Sequence, residues 1–346
     1  MRLLLLGGTE FAGRAVAEAA LGRGWEVTVF HRGHHEPPAG VRSLHGDRTA
    51  PEGLAALAET PGDGHWDAVV DTWSGAPRAV RDAARLLRGR AGRYVYVSSC
   101  SVYAWPRDAG YTEQSPLVEG ASPDADQTDY ARDKRGGELA AVEAFGADAS
   151  VLVRAGLILG PYENIGRLPW WLNRAARGGR LLAPGPRDLP LQYVDVRDLA
   201  EWILDSVERG TSGPYNLVGP PGHTTMGALL DACVAVTGGA AELCWTDPDV
   251  ILGAGVEPWL HLPVWVPPGS EDHAAVHGAD VSRALASGLR PRPVTDTVAD
   301  TWHWLRTLDG PAPQRPDRPT VGLDPELEAK ALLAAGGSGA AADGWV

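Results

Sequence analysis

A chain of 346 residues can bury a substantial core and is long enough for one large domain or two coupled ones. Its formal net charge of −13 opposes gathering RNA or DNA, so no nucleic-acid partner is expected. No apolar run approaches the roughly 18 to 20 residues of a membrane span. The run at residues 3–6 is too short for a signal peptide, and Cys100, Cys233 and Cys244 have neither a disulfide-like nor a metal-like spacing. A reducing cytoplasm fits that cysteine usage.

The chain opens on an apolar strand at residues 3–6, broken by Gly7, Gly8 and Thr9. Residues 13–23 read as a helix with Val16, Ala19, Ala20 and Leu21 on its apolar side. Residues 26–30 read as a second strand, ending at His31-Arg32-Gly33. Strand, glycine turn, helix and strand in that order make a βαβ unit with parallel strands and a right-handed crossover. Residues 41–44 form a short strand closing on His45-Gly46-Asp47-Arg48, and 51–59 a helix led by Pro51. A strand at 66–71, an amphipathic helix at 77–87 and a strand at 93–98 follow, the last running into Ser99-Cys100-Ser101-Val102-Tyr103. Residues 104–128, rich in Pro, Asp, Gly and Ser, read as an excursion over a cleft. Helix returns at 129–145 and strand at 150–154.

This alternation predicts an α/β fold: a Rossmann-type doubly wound parallel sheet covered on both faces. Past Gly156 the rhythm loosens. Helices are expected at 170–177, 195–207, 225–236 and 294–308, and strands at 180–183, 191–194, 214–218 and 242–245, with a Trp/Pro-rich passage at 257–268. These short mixed elements suggest a smaller C-terminal substrate lobe. The expected organisation is a dinucleotide-binding domain over 1–155, a lobe over 156–310 interleaved with its sheet, and a Pro/Gly/Ala-rich tail over 311–346. The tail offers one helix, at 325–334, and its end is expected to be mobile.

A glycine turn opening a helix presents backbone N–H groups and the positive end of the helix dipole to a pyrophosphate, so residues 7–13 read as a dinucleotide site. Glu10 stands where a second close-approach glycine is expected, and its carboxylate must turn away from phosphate. Tyr130 and Lys134 lie at i and i+4, on one helix face. An ammonium beside a phenol stabilises phenolate, which suits a general acid/base at a carbonyl. Of 31 Lys plus Arg only Lys134 and Lys330 are lysine, so a lysine inside the fold hints at work a guanidinium cannot do. The hydroxyl of Ser99, at the end of the preceding strand, could hold a substrate oxygen.

The segments LLLLGGTEFAGR, VTVFHRG, GDR, YVYVSSCSVY, YARDK, VRAGLILGP, LQYVDVRDLA and PYNLVG together span nearly all of residues 1–310. In combination they resemble the short-chain dehydrogenase/reductase superfamily, in its extended and atypical branches around the NAD-dependent epimerase/dehydratase proteins. The resemblance implies Tyr130 as acid/base, Lys134 as the group that binds the nicotinamide ribose and tunes the tyrosine, and Ser99 as the substrate-orienting hydroxyl. Gly7, Gly8 and Gly13 would line the pyrophosphate, with Thr9 and Phe11 beside them, and Asp47 would approach the adenine next to Arg48. Sugar dehydratases of the superfamily carry an Asp-Glu pair after the active-site hydroxyl residue, where this chain has Cys100 and Ser101. That disfavours elimination of water.

The second strand ends in His31 and Arg32 with no acid, which favours NADP(H), with NAD(H) the alternative. His31, His34, His35 and Glu36 share one loop without partner cysteines and are not read as a metal site. Cys100, with no histidine nearby in sequence, reads as a small buried filler. Trp170, Trp171, Trp259 and Trp265 fit either a substrate pocket or a core. The expected function is NAD(P)-dependent reduction or dehydrogenation of a small metabolite. A nucleotide-sugar epimerase retaining NAD is the close alternative, and a non-catalytic nucleotide- or RNA-binding relative the distant one. Gly136-Gly137 inside the Tyr-bearing helix leaves room for a close helix contact, and a homodimer is an open expectation.

Overall fold

The computed structural model describes residues 1–59, 65–125 and 128–339, and the chain divides into two compact units. The first comprises Met1–Ile158, Val196–Val218 and Ala279–Pro291; the second comprises Leu159–Asp195, Gly219–Gly278 and Arg292–Val346. Strands β1 (Arg2–Leu6), β2 (Glu26–His31), β3 (Arg42–His45), β4 (Ala68–Asp71), β5 (Tyr94–Ser99), β6 (Ser150–Ala155) and β7 (Gly213–Leu217) form one seven-stranded sheet in the first unit. Their order is β7-β6-β5-β4-β1-β2-β3, and every neighbouring pair is parallel. Strand order reverses between β1 and β4, which opens the crevice where doubly wound sheets take their ligands.

Helix α1 (Phe11–Gly22) packs beside the helix Val196–Glu208, and Arg23 ties them through Glu201, through Asp205 at 2.7 Å and through Glu208 at 3.3 Å. Helix α2 (Ala55–Ala58) is one turn, shorter than the helix expected from Pro51, because residues 51–54 are spent in turns. Helices α3 (Arg78–Leu87) and α4 (Tyr130–Phe145) cover the other face. There Leu4, Leu6, Phe30, Val69, Tyr94 and Tyr96 bury against Val80, Ala84, Leu87 and Ala141. Gly136 and Gly137 have intrachain reasons. A Cβ on Gly137 would run into the Tyr96 ring, and one on Gly136 would lie 2.8 Å from Pro77.

In the second unit, strand Gly179–Pro184 pairs in parallel with Ala241–Thr246. The strand expected at 191–194 is split into Pro190–Leu191 and Val194–Asp195. The physical reason is that the Gln192 N–H donates to His277 Nδ1 at 2.9 Å instead of to a neighbouring strand. Helices Pro248–Gly253 and Glu271–His277 were not legible from the Pro-rich sequence; Asp247 and Ser270 cap them. Trp171 and Trp265 are core residues, fully buried, while Trp170 and Trp259 are half-exposed. From residue 311 the chain packs within this unit. Arg315 N–H reaches Asn164 O at 2.9 Å, Gly322 N–H reaches Leu260 O at 2.8 Å, and Glu328 on helix Pro325–Gly339 pairs with buried Arg174 at 2.7 Å. The chain end, expected to be mobile, lies outside the described residues.

Glu163 is fully buried and accepts from the backbone N–H groups of Arg167 and Leu168, at 2.6 and 3.1 Å, at the start of helix Arg167–Ala176. Burial raises its carboxyl from an ordinary 4.5 to about 7, against the opposing pull of Arg167 and those N–H groups. The folded chain therefore holds a proton the unfolded chain has lost between about 4.5 and about 7, so this group drains stability as pH rises through that interval. At about 1.4 kcal/mol per pH unit the loss is of order 3 kcal/mol. Glu163→Gln keeps an acceptor and removes the slope, so the variant should gain thermal midpoint on wild type between pH 5 and 8; parallel melting curves check it.

Candidate active site

The turn after β1 is built for close approach. Gly7 and Gly8 sit at φ of +103° and +114°, in the left-handed region that side chains disfavour. A Cβ on Gly13 would lie 2.6 Å from Gly8 N and 2.7 Å from Gly8 Cα, so only glycine lets α1 start this close to the turn. Phe11 opens the helix at φ +35°, a conformation held by the surrounding turn. Glu10, the residue before α1, makes no side-chain cap, and its carboxylate stands 3.5 Å from His35 Nε2. The carboxylate is thus drawn toward the loop that follows β2. These residues fit a dinucleotide pyrophosphate: the cradle has no room for side chains at its three glycines.

His31 and His45 end β2 and β3 as register partners, with ring centroids 4.6 Å apart. Gly33 N–H donates to His31 Nδ1 at 3.3 Å, and burial followed by the His45 ring lowers the His31 pKa. Arg32 is exposed at the same strand end. Asp47 accepts from Thr49 N and Oγ1 at 2.9 and 2.7 Å. Those hydrogen bonds, with Arg32 and His34 nearby, hold its carboxyl below the usual range. Arg48 is turned inward. Its side chain is 6% exposed and forms a two-armed pair with fully buried Asp71, at 2.7 and 2.9 Å. Asp71 also accepts from the Tyr94 hydroxyl and from Trp73 N, the latter at 3.0 Å.

Ser99 ends β5, and its Oγ accepts from Ser101 N and contacts Ser101 Oγ, both at 3.1 Å. Asp129 caps α4 by accepting from Arg132 N at 3.0 Å, which places Tyr130 as the first helical residue and Lys134 one turn along. Lys134 is buried. Its ammonium donates to Val97 O at 2.6 Å and to Trp73 O, and lies 4.9 Å from the centre of the Tyr96 ring. Helix α4 is thereby pinned to β5 two residues before Ser99. Glu138, four residues on, repeats the clamp: it accepts from Ser98 Oγ at 2.8 Å, Arg135 at 2.8 Å and Arg154 at 2.9 Å.

Burial, then Asp71, pushes the phenols of Tyr94 and Tyr96 well above their ordinary value, which rules both out as acid/base groups near neutral pH. Cys100 is buried with its Sγ 3.2 Å from Arg154 O, and burial raises its thiol to about 11, so it is no nucleophile. Among the described residues no three His, Cys, Asp or Glu are grouped to hold a metal ion, and no helix is long and apolar enough to cross a membrane. Asp71, Trp73, Tyr96 and Glu138 escaped sequence reasoning. The available signals were an acid ending an apolar strand and a glutamate one turn beyond Lys134 on the same face.

Comparison with known proteins agrees with this fold. The model of the NAD dependent epimerase/dehydratase family matches residues 3–218. A 2-alkyl-3-oxoalkanoate reductase of Stenotrophomonas maltophilia (strain K279a) is 28% identical over 222 residues, 59% of this chain and 64% of that protein. The chain thus spans less than two thirds of that relative. Among solved structures, the Bordetella bronchiseptica enzyme WbmH in complex with NAD+ matches at 18% identity and TM-score 0.63, over 88% of this chain and 98% of that one. The UDP-glucose 4-epimerase of Thermus thermophilus, in complex with NAD, matches at 22% identity and TM-score 0.60, over 88% and 99%. At these identities the likeness is one of fold.

Gly13→Ala tests the cradle directly. The added methyl must push the turn away from α1, and binding of NADH or NADPH, followed by its fluorescence, should weaken by at least about tenfold, the equivalent of ~1.4 kcal/mol, while the far-ultraviolet circular dichroism stays that of the wild type.

Proposed function

The chain belongs to the NAD dependent epimerase/dehydratase family, and from that premise we propose that it is an NADP(H)-linked oxidoreductase acting on a carbonyl of a small metabolite, with Tyr130 as general acid/base. The observation that carries the reading is the buried Lys134 ammonium, held by two backbone carbonyls one helical turn from Tyr130. Lysine is nearly absent from this chain, so its use at a buried position favours a role for a compact, three-donor cation.

When bound, the nicotinamide supplies or accepts the hydride. Tyr130 gives its phenolic proton to the carbonyl oxygen as that oxygen gains charge, and takes a proton back in the reverse direction. Lys134 stabilises the phenolate left behind, at a cost already met by the carbonyls of Trp73 and Val97. Ser99 donates to the same substrate oxygen and holds the carbonyl plane in line with the phenol. Gly7, Gly8 and Gly13 make room for the pyrophosphate, with Thr9 and Phe11 forming the rest of the turn. Asp47 faces the adenine, while Arg48 supports that loop from beneath through Asp71.

Arg32 and His31 end β2 without a carboxylate to accept ribose hydroxyls, which favours the 2′-phosphate of NADP. Cys100 and Ser101 offer neither an acid nor a base beside Ser99, which disfavours dehydration. The likeness to a 2-alkyl-3-oxoalkanoate reductase supports ketone reduction, with 3-oxoalkanoates as the first substrates to try.

Stopped assays of NADPH consumption against a panel of 3-oxoalkanoates, simple ketones and aldehydes check the reaction. Tyr130→Phe and Lys134→Met should each lose on the order of 10²–10⁴ in kcat with cofactor binding kept in Tyr130→Phe. Full activity in Tyr130→Phe removes the mechanism. Arg32→Glu should reverse the cofactor preference, read as the ratio of the dissociation constants for NADPH and NADH. An unchanged ratio assigns selection elsewhere.

A further inference from the structure

Beneath the cofactor loop lies a buried charge cluster that hydride transfer does not itself require. Asp71 ends β4 and Arg48 follows β3, and their side chains are 0% and 6% exposed. A buried ion pair is weak evidence for stability, because desolvating both charges offsets most of their attraction. Something other than stability can retain it. Here the contacts run on in one direction. Asp71 Oδ1 accepts from Trp73 N at 3.0 Å, fixing the Thr72–Trp73 peptide from which the Trp73 carbonyl follows one Cα later. The Trp73 carbonyl receives the Lys134 ammonium and, at 3.2 Å, the Tyr96 hydroxyl. The Arg48 guanidinium lies 5.1 Å from the centre of the Trp73 ring, and the Trp73 indole N–H is anchored on Ala76 O at 2.9 Å. At the other end, Arg48 is joined in sequence to Asp47, on the loop read above as facing the adenine.

We propose that Asp71 is a positioning residue: its pairing with Arg48 ties the adenosine-side loop after β3 to the Trp73 peptide, and so sets where the Lys134 ammonium stands beside Tyr130. The inference rests on the catalytic reading of Lys134 and Tyr130 given above. It makes the loop after β3 and the catalytic amine two ends of one rigid connection. A loop displaced from Asp71 lets the Trp73 carbonyl turn, and the ammonium follows its acceptor. The phenolate then loses part of its stabilisation, so the pH at which alcohol oxidation reaches half its maximal rate moves upward.

Asp71→Asn alone strands the Arg48 charge in the interior and will destabilise the first unit. The decisive variant is therefore the neutral pair Arg48→Met/Asp71→Asn, in which no unpaired charge remains and the Asn side chain, no longer oriented by the two guanidinium arms, holds Trp73 N less firmly. Arg48→Lys, which keeps the charge but gives up the two-armed contact, is the milder form and should move every readout the same way by less. The chain supplies its own probe, because selective labelling of lysine with ¹³C at Cε yields only two side chains, Lys134 and Lys330.

The neutral pair should recover most of the melting temperature lost by Asp71→Asn. It should still show kcat down about tenfold, the half-rate pH raised by about one unit, and the Lys134 Cε resonance displaced while that of Lys330, in the second unit, stays in place. A neutral pair with wild-type kcat, pH profile and Lys134 resonance overturns the proposal, and so does a displacement of both lysines together. Failure of the catalytic reading is separable. It would appear as full activity in Tyr130→Phe, whereas the lysine resonances report the Asp71 connection whether or not that tyrosine is the acid.

Discussion

A single buried ammonium organises the first unit. An amine taken out of water must recover its solvation from fixed dipoles, and Lys134 does so on the carbonyl of Trp73, just past the end of β4, and that of Val97, within the neighbouring β5. That requirement dictates how closely α4 approaches the sheet. The approach in turn requires glycine at 136 and 137, where the Pro77 and Tyr96 side chains leave no room for a methyl. The same closeness lets Glu138 reach Ser98, so the strand that carries Ser99 is clamped to the Tyr130 helix at two points one turn apart.

The nucleotide side obeys a parallel constraint. A pyrophosphate can be met by backbone N–H groups only if no Cβ intervenes, and Gly13 stands so near Gly8 that a methyl would touch backbone. The glutamate that stands where a middle glycine is expected has its carboxylate 3.5 Å from His35 Nε2. That partner lies twenty-five positions along the chain, on the loop after the next strand.

Chemistry beside Ser99 is narrowed as much by what is buried as by what is displayed. Cys100 spends its thiol on a backbone carbonyl and is pushed toward its neutral form. The two phenols of β5 that face the core are held neutral by burial and by Asp71. Tyr130, by contrast, stands at a helix start and is only half-buried.

How much of this was legible in advance depends on range. The βαβ opening, the alternation through residue 155, the common face of Tyr130 and Lys134, and the glycine turn are all set by spacings of a few residues, so composition and period suffice to read them. The chain alone also showed that lysine is rare enough for Lys134 to matter. Only the folded molecule decided that β1 lies between β4 and β2, that Arg48 turns inward to Asp71, that Gln192 gives its N–H to a histidine ring, and that residues 311–339 pack within the second unit. Each of these joins groups distant in sequence, and their pairing is chosen by which charges and backbone groups are buried together, a quantity no local pattern carries.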